Sequence, residues 1–288
     1  MKDRESKKRI GRSYWANIWR KFKKNKLAIF GLVFVFILIF LGILAPWLAP
    51  YPYDEVHYEA VWTPPNRQFW AGTDQLGRDI FSRLLYSLRN AVFVGLGAQT
   101  FITFIGVTVG LIAGFYGGKI DNILMRIVDI IYSFPSYLLN IILVLVLGRG
   151  YFSIFIAISA TGWAGMARLV RGQTLSVRGR EFIEAARASG ASNGRIMFRY
   201  ILPNIIGPII YAIFSGIPGV MLLESGLSLI GLGVRPPMPS WGLMISEATG
   251  QFLYNPYMLL APAGMLVLTL LSFNFVAFGL RDALSARE

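Results

Sequence analysis

Long apolar runs alternate with short polar and mostly basic segments along this chain. Six runs are each long enough to cross ~30 Å of hydrocarbon as a helix. They cover residues 27–49, 91–116, 123–147, 151–170, 204–223 and 257–280. None alternates as a strand does, and in lipid each backbone amide needs a partner within its own segment. We therefore predict an all-α integral membrane protein with six transmembrane helices.

Lysine and arginine are distributed unevenly between the loops. With the N-terminus in the cytoplasm, 22 of the 28 basic residues lie on the cytoplasmic side. They cluster in the tail before residue 27, near Lys119 and Arg126, in the segment 168–199 and at the C-terminal end. Since positive charge is retained on the cytoplasmic face, both termini are predicted to be cytoplasmic. The net charge of +13 then reflects lysine and arginine retained on the cytoplasmic face. We expect membrane lipid, and no nucleic acid, among the partners.

The first apolar run and the outer loop after it differ from the rest of the chain. The run is longer than the core of a signal peptide and lacks a cleavage site, so we expect an uncleaved anchor. Four prolines between residues 50 and 65 exclude a regular helix there. The stretch GTDQLGRDIFSRLLYSLRN (72–90) predicts a separate interfacial helix. We predict two domains: residues 1–75, and a five-helix domain at 76–288.

Glycine marks one face of the second span. Gly106, Gly110 and Gly114 recur at every fourth residue, so another helix can approach that face closely. The neighbour can belong to this chain or to another subunit, and the pattern does not distinguish the two. In the fifth span, Pro208 and Pro218 predict bends, which fit a moving pathway better than a passive anchor.

The chain carries few groups for catalysis. It has no cysteine and one histidine, His57, which we expect to be a surface residue of the outer loop. No catalytic triad or metal motif is visible, and GFYGGK lacks the spacing of a nucleotide-binding loop. We therefore predict that the chain is not an enzyme and binds no metal or cofactor itself. Energy for any transport then comes from another polypeptide or from an ion gradient.

Ion-coupled carriers keep ionisable residues deep in their spans, and these spans are nearly free of them. Asp129 is expected to pair with Arg126, three residues earlier on the same helix. Glu224 is expected at the outer end of the fifth span, where it would line a vestibule. Neither residue forms a proton relay, so the pattern disfavours a proton-driven carrier.

A small-residue, basic segment, EAARASGASNGRIMFRYILPN (184–204), separates two apolar spans on the predicted cytoplasmic side. The residues from Arg180 predict a short helix with a narrow face of small residues, ended by Gly190. Ser192 or Asn193 would cap a second helix that stops before Pro203. Two short helices outside the membrane fit either docking to a protein or contact with lipid headgroups. The first helix's face comprises Phe182, Ala185, Ala186 and Ser189.

This segment resembles the EAA loop of binding-protein-dependent ABC importer permeases. That motif is E-A-A, three residues, G, nine residues, an aliphatic residue, one more residue, and L-P. Tyr200 departs from it at the aliphatic position. The residues that match in register are Glu184, Ala185, Ala186, Gly190, Leu202 and Pro203.

Three further stretches are similar to the C-type subunit of the oligopeptide, dipeptide and nickel branch. They are WAGTDQLGRDIFSRLLYSLR (70–89), LSLIGLGVRPPMPSWG (227–242) and LTLLSFNFVAFGLRDAL (268–284). The resemblance covers essentially the whole chain. Relatives often have an acid before the final Gly-Leu-Arg-Asp, whereas this chain has Phe278, so any role of that acid is in doubt here.

The resemblance implies a type I ABC importer permease fold in a bacterial or archaeal plasma membrane. It implies four kinds of partner: a second homologous permease, two ATP-binding subunits that hold ATP and Mg²⁺, and an extracytoplasmic substrate-binding protein. A coupling loop at about 171–203 would dock into an ATP-binding subunit through Glu184, Ala185, Ala186, Arg187 and Gly190, with Leu202 and Pro203 at its end. Glu184 would contact a basic residue there.

The function that follows is one half of an ATP-driven pathway for di- or oligopeptides. Import of nickel or a nickel chelate is an alternative within the same branch. A non-transporting membrane scaffold or sensor is an alternative from another class. The sequence does not identify the residues of the substrate pathway.

Overall fold

A computed structural model describes residues 15–285 of the chain. The basic residues before residue 15 and Arg287, which contribute to the charge asymmetry between the loops, lie outside these residues. The cytoplasmic position of both termini stays a prediction. Regular structure in the described part is helical, apart from an isolated bridge between Thr73 and Asp79. The main helices are α1 (Lys26–Ile43), α2 (Ile80–Tyr116), α3 (Gly118–Tyr132), α4 (Ser136–Leu147), α5 (Tyr151–Val177), α6 (Glu181–Ala188), α7 (Leu202–Leu229), α8 (Trp241–Ala248) and α9 (Tyr257–Ser285).

Five helical segments in residues 15–285 are long and apolar enough to cross a membrane. They contain α1, α2, α5, α7 and α9, and the pair α3–α4 supplies a sixth span when its two helices are taken together. The predicted all-α, multi-span architecture is therefore confirmed.

The third span is not the single helix that we predicted over 123–147. It is broken into α3 and α4, whose axes meet at 84°. The backbone N–H of Ser133 closes α3 on the carbonyls of Asp129 and Ile130. Pro135 follows and has no N–H to continue the ladder, so the helix breaks there. Hydropathy alone does not reveal the bend, because the two helices together read as one apolar span.

The predicted interfacial helix at 72–90 is not a separate element. Asp79 caps a continuous 37-residue α2, its carboxylate accepting a hydrogen bond of 2.7 Å from the Ser82 N–H. The second span and most of the stretch before it therefore form one rod, which begins in the outer loop.

The three glycines of α2 face α5 of the same chain, which decides between the two partners that the sequence left open. A Cβ placed on Gly106 would lie 2.5 Å from the Met166 Cβ. At Gly110 it would lie 2.4 Å from the Ala167 carbonyl oxygen, and at Gly114 2.6 Å from the Thr174 Cβ. The two backbones therefore approach too closely for any side chain at these positions.

The first helix packs against the last one. A Cβ on Gly31 of α1 would lie 2.5 Å from the Ser272 carbonyl oxygen, and one on Gly279 of α9 would lie 2.2 Å from the Ala28 Cβ. The division at residue 75 into two domains stays a prediction.

A buried ion cluster joins the outer loop to α8. Arg78 donates to Asp74 at 2.7 Å and to Glu247 at 3.2 Å. Arg83 pairs with Asp74 and, at 2.9 Å, with Glu247. Asp74 and both arginines are at most 3% exposed. The cluster fixes the start of α2 against the segment between α7 and α9.

Substitution Gly110→Ala tests the contact between α2 and α5. The new methyl would overlap the Ala167 carbonyl, and such overpacking costs about 1–3 kcal/mol. We expect a clearly lower melting temperature in detergent. The matched control is Gly264→Ala in α9, where an added Cβ meets no atom of residues 15–285 within 4 Å. Equal melting temperatures for the two variants would contradict the close approach.

Substitution Asp74→Asn tests the ion cluster. It leaves two buried guanidinium groups with Glu247 as their remaining acid partner, and removing one partner of a buried pair costs about 3–5 kcal/mol. We expect strong destabilisation in the same melting assay. Glu59→Gln, at an exposed acid of the same loop, is expected to leave the melting temperature unchanged.

Candidate functional site

The segment between α5 and α7, residues 178–201, forms the candidate coupling loop; the predicted bounds of about 171–203 also take in the last residues of α5 and the first of α7. The α6 helix begins after Arg180 and ends at Ala188. A turn leads to the short helix Asn193–Arg195, which runs into the π-helix Ile196–Ile201 and then into α7. The expected pair of helices with a tight turn between them is present.

The end of α6 is built as expected. Gly190 has φ +76°, a left-handed conformation that favours glycine because it has no Cβ. The Ala191 N–H donates to the Ala186 carbonyl at 3.1 Å, and the Gly190 N–H donates to the Arg187 carbonyl at 3.0 Å. Ser192 caps the next helix by accepting from the Arg195 N–H at 3.4 Å.

The outward face of α6 combines charge with small side chains. Glu184, Ala185 and Arg187 are exposed, and so is Gly190 in the turn after the helix. The space around Gly190 is open within the described part of the chain, where an added Cβ would meet no atom within 4 Å. Ala188, which the motif does not include, is exposed as well.

One residue of the predicted small face lies on the other side. Ala186 is 7% exposed and packs inward with Ile183, which is fully buried. The small side chain of Ala186 therefore packs against the rest of this chain and is not part of the exposed face of α6. Of the last motif residues, Leu202 is half-buried and Pro203 is exposed.

The second helix of the loop does not stop before Pro203, contrary to the prediction. The π-helix continues directly into α7, and the Leu202 N–H donates to the Met197 carbonyl. Pro203 is the second residue of α7, directly after the π-helix, so its missing N–H falls where the hydrogen-bond pattern changes from π to α. The loop is thus joined to α7 by continuous helix.

Arginines anchor the base of the loop to the helices beside it. Arg178 donates at 2.9 Å to the Gly114 carbonyl near the end of α2, where positive charge suits the helix dipole. Arg171 makes two hydrogen bonds to Asp121, of 2.5 and 2.6 Å, which join α5 to α3.

Asp129 does not pair with Arg126, contrary to expectation. Its partner is Arg168 of α5 at 2.7 Å, and the Arg168 guanidinium also stacks over Tyr132 at 4.1 Å from the ring centroid. Proximity along one helix could not show this, because the pairing depends on how α3 packs against α5.

Two other candidates from the sequence have ordinary surroundings. His57 is half-buried, with its ring 5.0 Å from that of Tyr51 and 5.2 Å from that of Phe69. Glu224, expected at a vestibule, is instead 2% exposed and accepts a hydrogen bond of 2.9 Å from the Ser228 hydroxyl.

A cavity of about 320 Å³ lies between α2, α4, α5 and α7. Polar but uncharged side chains line part of it, and sequence reasoning identified none of them as pathway residues. Their common signal is an amide or hydroxyl within an apolar span. They are Gln99, Ser136, Asn140 and Thr161.

Two family models match the chain. The model for the binding-protein-dependent transport system inner membrane component covers residues 106–288. The model for the N-terminal transmembrane domain of oligopeptide transport permease C covers residues 13–65.

Relatives are similar over nearly the whole length. The oligopeptide transport system permease protein OppC of Bacillus subtilis is 41% identical, with 96% of this chain and 90% of that protein covered. The dipeptide permease protein DppC of the same species is 38% identical, with 99% and 90% covered. The glutathione permease protein GsiD of Escherichia coli O6:K15:H31 is 39% identical, with 96% and 91% covered.

The fold is also that of a solved transporter. A chain of the inward-facing MetNI methionine ABC transporter aligns with a TM-score of 0.58 and 20% identity, covering 70% of this chain and 96% of that one. This likeness shows the type I ABC importer permease fold. With the family models and full-length relatives, it establishes that this multi-pass membrane chain belongs to the binding-protein-dependent transport system inner membrane components.

Proposed function

We propose that this chain is one of two permease subunits in an ATP-driven importer of di- or oligopeptides. The observation that carries the proposal is the coupling loop, whose motif residues present an exposed acid and small side chains on a short helix held by rigid helices. A protein groove can approach such a surface closely, whereas a helix that only rests on lipid needs a broad apolar face.

Glu184 and Ala185 are the proposed centre of the docking surface. The exposed carboxylate of Glu184 would pair with a basic residue of an ATP-binding subunit, and Ala185 would let the groove close around it. Gly190 would keep the turn narrow, with Arg187 at its edge. Ala186, Leu202 and Pro203 would act indirectly, by shaping and holding the loop.

The proposal assigns ATP and Mg²⁺ to two ATP-binding partner subunits and no cofactor to this chain. A second, homologous permease would complete the pathway, and an extracytoplasmic binding protein would deliver the substrate. Closure of the ATP-binding subunits would move the docked loops and turn the pathway outward. Both termini and the loop would be cytoplasmic.

Peptides are the proposed substrate because the full-length relatives described above are named for oligopeptide, dipeptide and glutathione transport. Nickel is supported less well. In residues 15–285 no three histidine or acidic side chains come together to hold a metal ion, and the whole chain has one histidine.

Substitution Glu184→Lys tests docking. The lysine would place like charge against the proposed basic partner, and losing a buried interfacial charge pair costs about 2–5 kcal/mol. We expect uptake and peptide-stimulated ATP hydrolysis to fall at least about tenfold, with normal membrane insertion. Reconstituted complexes would be assayed for both activities.

The matched control for docking is Asp282→Lys, the same charge reversal at an exposed acid near the end of α9. It is expected to retain both activities. Normal coupling in the Glu184 variant, or equal losses in both variants, would contradict docking through α6.

The substrate is tested by uptake into vesicles that hold the complete transporter and its binding protein. We expect ATP-dependent accumulation of a labelled dipeptide or tripeptide and none of labelled nickel. Nickel uptake without peptide uptake would favour the metal alternative. A chain that copurifies with no ATP-binding subunit in mild detergent would favour the scaffold or sensor.

A further inference from the structure

The cavity between α2, α4, α5 and α7 lies at the middle of the membrane-spanning helices. Gln99 lies in the central part of the 37-residue α2, and Thr161 lies near the middle of α5. The volume of about 320 Å³ is within the range of ligand pockets, about 300–1,000 Å³. Polar groups at such depth are costly in lipid and mark substrate pathways.

Gln99 has an amide that the helices do not fully use. The side chain is 3% exposed, and its Nε2 donates a long hydrogen bond of 3.4 Å to the Thr103 hydroxyl. No donor among residues 15–285 reaches its carbonyl oxygen. A Cβ on Gly216 would lie 2.5 Å from that oxygen, so glycine on α7 makes room for the amide.

Asn140 and Thr161 form a second polar group in the lining of the cavity. The Asn140 Nδ2 donates to the Thr161 hydroxyl at 3.1 Å, and the two side chains are at most 8% exposed. Asn140 lies in the second turn of α4, just after the break in the third span. The break therefore brings a polar helix end to the cavity.

The remaining wall is small and apolar. Among residues 15–285, no atom lies within 4 Å of a Cβ added to Gly219 of α7, so the wall has open space there, whereas Gly162 and Gly165 of α5 are closely packed. Of the residues from 15 to 285, none that lines the cavity is charged. A neutral amide accepts from and donates to any peptide bond, whatever the side chain, whereas a fixed charge would select for the opposite charge.

The geometry points to this cavity as a binding site within the subunit for the main chain of a peptide in transit, with the Gln99 carbonyl accepting a hydrogen bond from a peptide N–H. Asn140 and Thr161, which hydrogen-bond to each other, provide a second polar group in the lining, and the open space beside Gly219 takes a side chain. This inference rests on the proposed function, because it names the substrate groups that the pathway contacts.

The first experiment uses the absence of cysteine from the chain, which makes any introduced thiol unique in this subunit. Gly219→Cys places a thiol in the cavity, and Gly264→Cys is the control in α9, where an added side chain is also free of contacts. The complete transporter is treated with a small water-soluble maleimide. The binding protein is either empty or loaded with tri-alanine, and a non-hydrolysable ATP analogue is present.

We expect loaded binding protein to slow labelling at Gly219→Cys severalfold relative to empty binding protein. Labelling at Gly264→Cys should be the same in both conditions. Labelling of Gly219→Cys that is indifferent to the peptide, in a complex that still transports, overturns the inference.

The second experiment is a double-mutant cycle between protein and peptide. Gln99→Leu removes the amide, and N-methylation of one peptide bond removes the matching donor. With saturating binding protein, each change alone should lower uptake about fivefold, the loss expected for one hydrogen bond. The substitution and the N-methylation together should lower uptake little more than either does alone. ATP hydrolysis stimulated by loaded binding protein should persist.

Asn274→Leu is the matched control, because this amide on α9 donates at 2.8 Å to the Leu270 carbonyl of its own helix. It should lower uptake of both peptides equally or not at all. If Gln99→Leu lowers uptake of the unmodified and the N-methylated peptide by the same factor, the proposed hydrogen bond is refuted. A wild-type complex that transports no peptide refutes the proposed function instead, so the two failures are distinguishable.

Discussion

The close approach of α2 and α5 is the constraint on which the rest of the structure depends. A Cβ added to Gly106, Gly110 or Gly114 would overlap an atom of α5, so the backbones of the two helices are in close contact over more than two turns. Lipid supplies no hydrophobic drive for helices to associate, and close van der Waals contact has to replace it. The same contact sets the separation of Gln99 from Thr161, and it brings Arg178 to the Gly114 carbonyl.

The candidate coupling loop and the cavity share their supporting helices. The loop is joined to α5 at one end and to α7 at the other, and both helices line the cavity. The π-helix before Leu202 makes the second junction continuous, so a displacement of the helix that starts at Asn193, after the turn that follows α6, reaches α7 directly. A partner that pushes on the loop therefore acts on two walls of the cavity at once.

Much of the fold could be predicted from sequence because its signals are local. Hydropathy located the spans, and the conformational freedom of Gly190 located the end of α6. The partner of Asp129 and the inward position of Ala186 depend on neighbouring helices, which no local pattern describes. The break before Pro135 had a local signal in the proline, which hydropathy does not register. Pro203 misled for the opposite reason: a local rule for helix ends failed because Pro203 lies where the π-helix passes into α7. The cavity had no sequence signal beyond isolated amides and hydroxyls.

Charge and amide groups occupy different depths for a physical reason. The ions of Asp74, Arg78, Arg83 and Glu247 pair with one another at the start of α2, where they hold the outer loop to α8. At the centre of a span an unpaired charge is too costly, and a paired one is already neutralised by its partner. An amide such as that of Gln99 can stay partly unpaired there at lower cost and exchange its partner quickly. A pathway for peptides of varied charge requires that property, because a group that binds one side chain strongly would retain it.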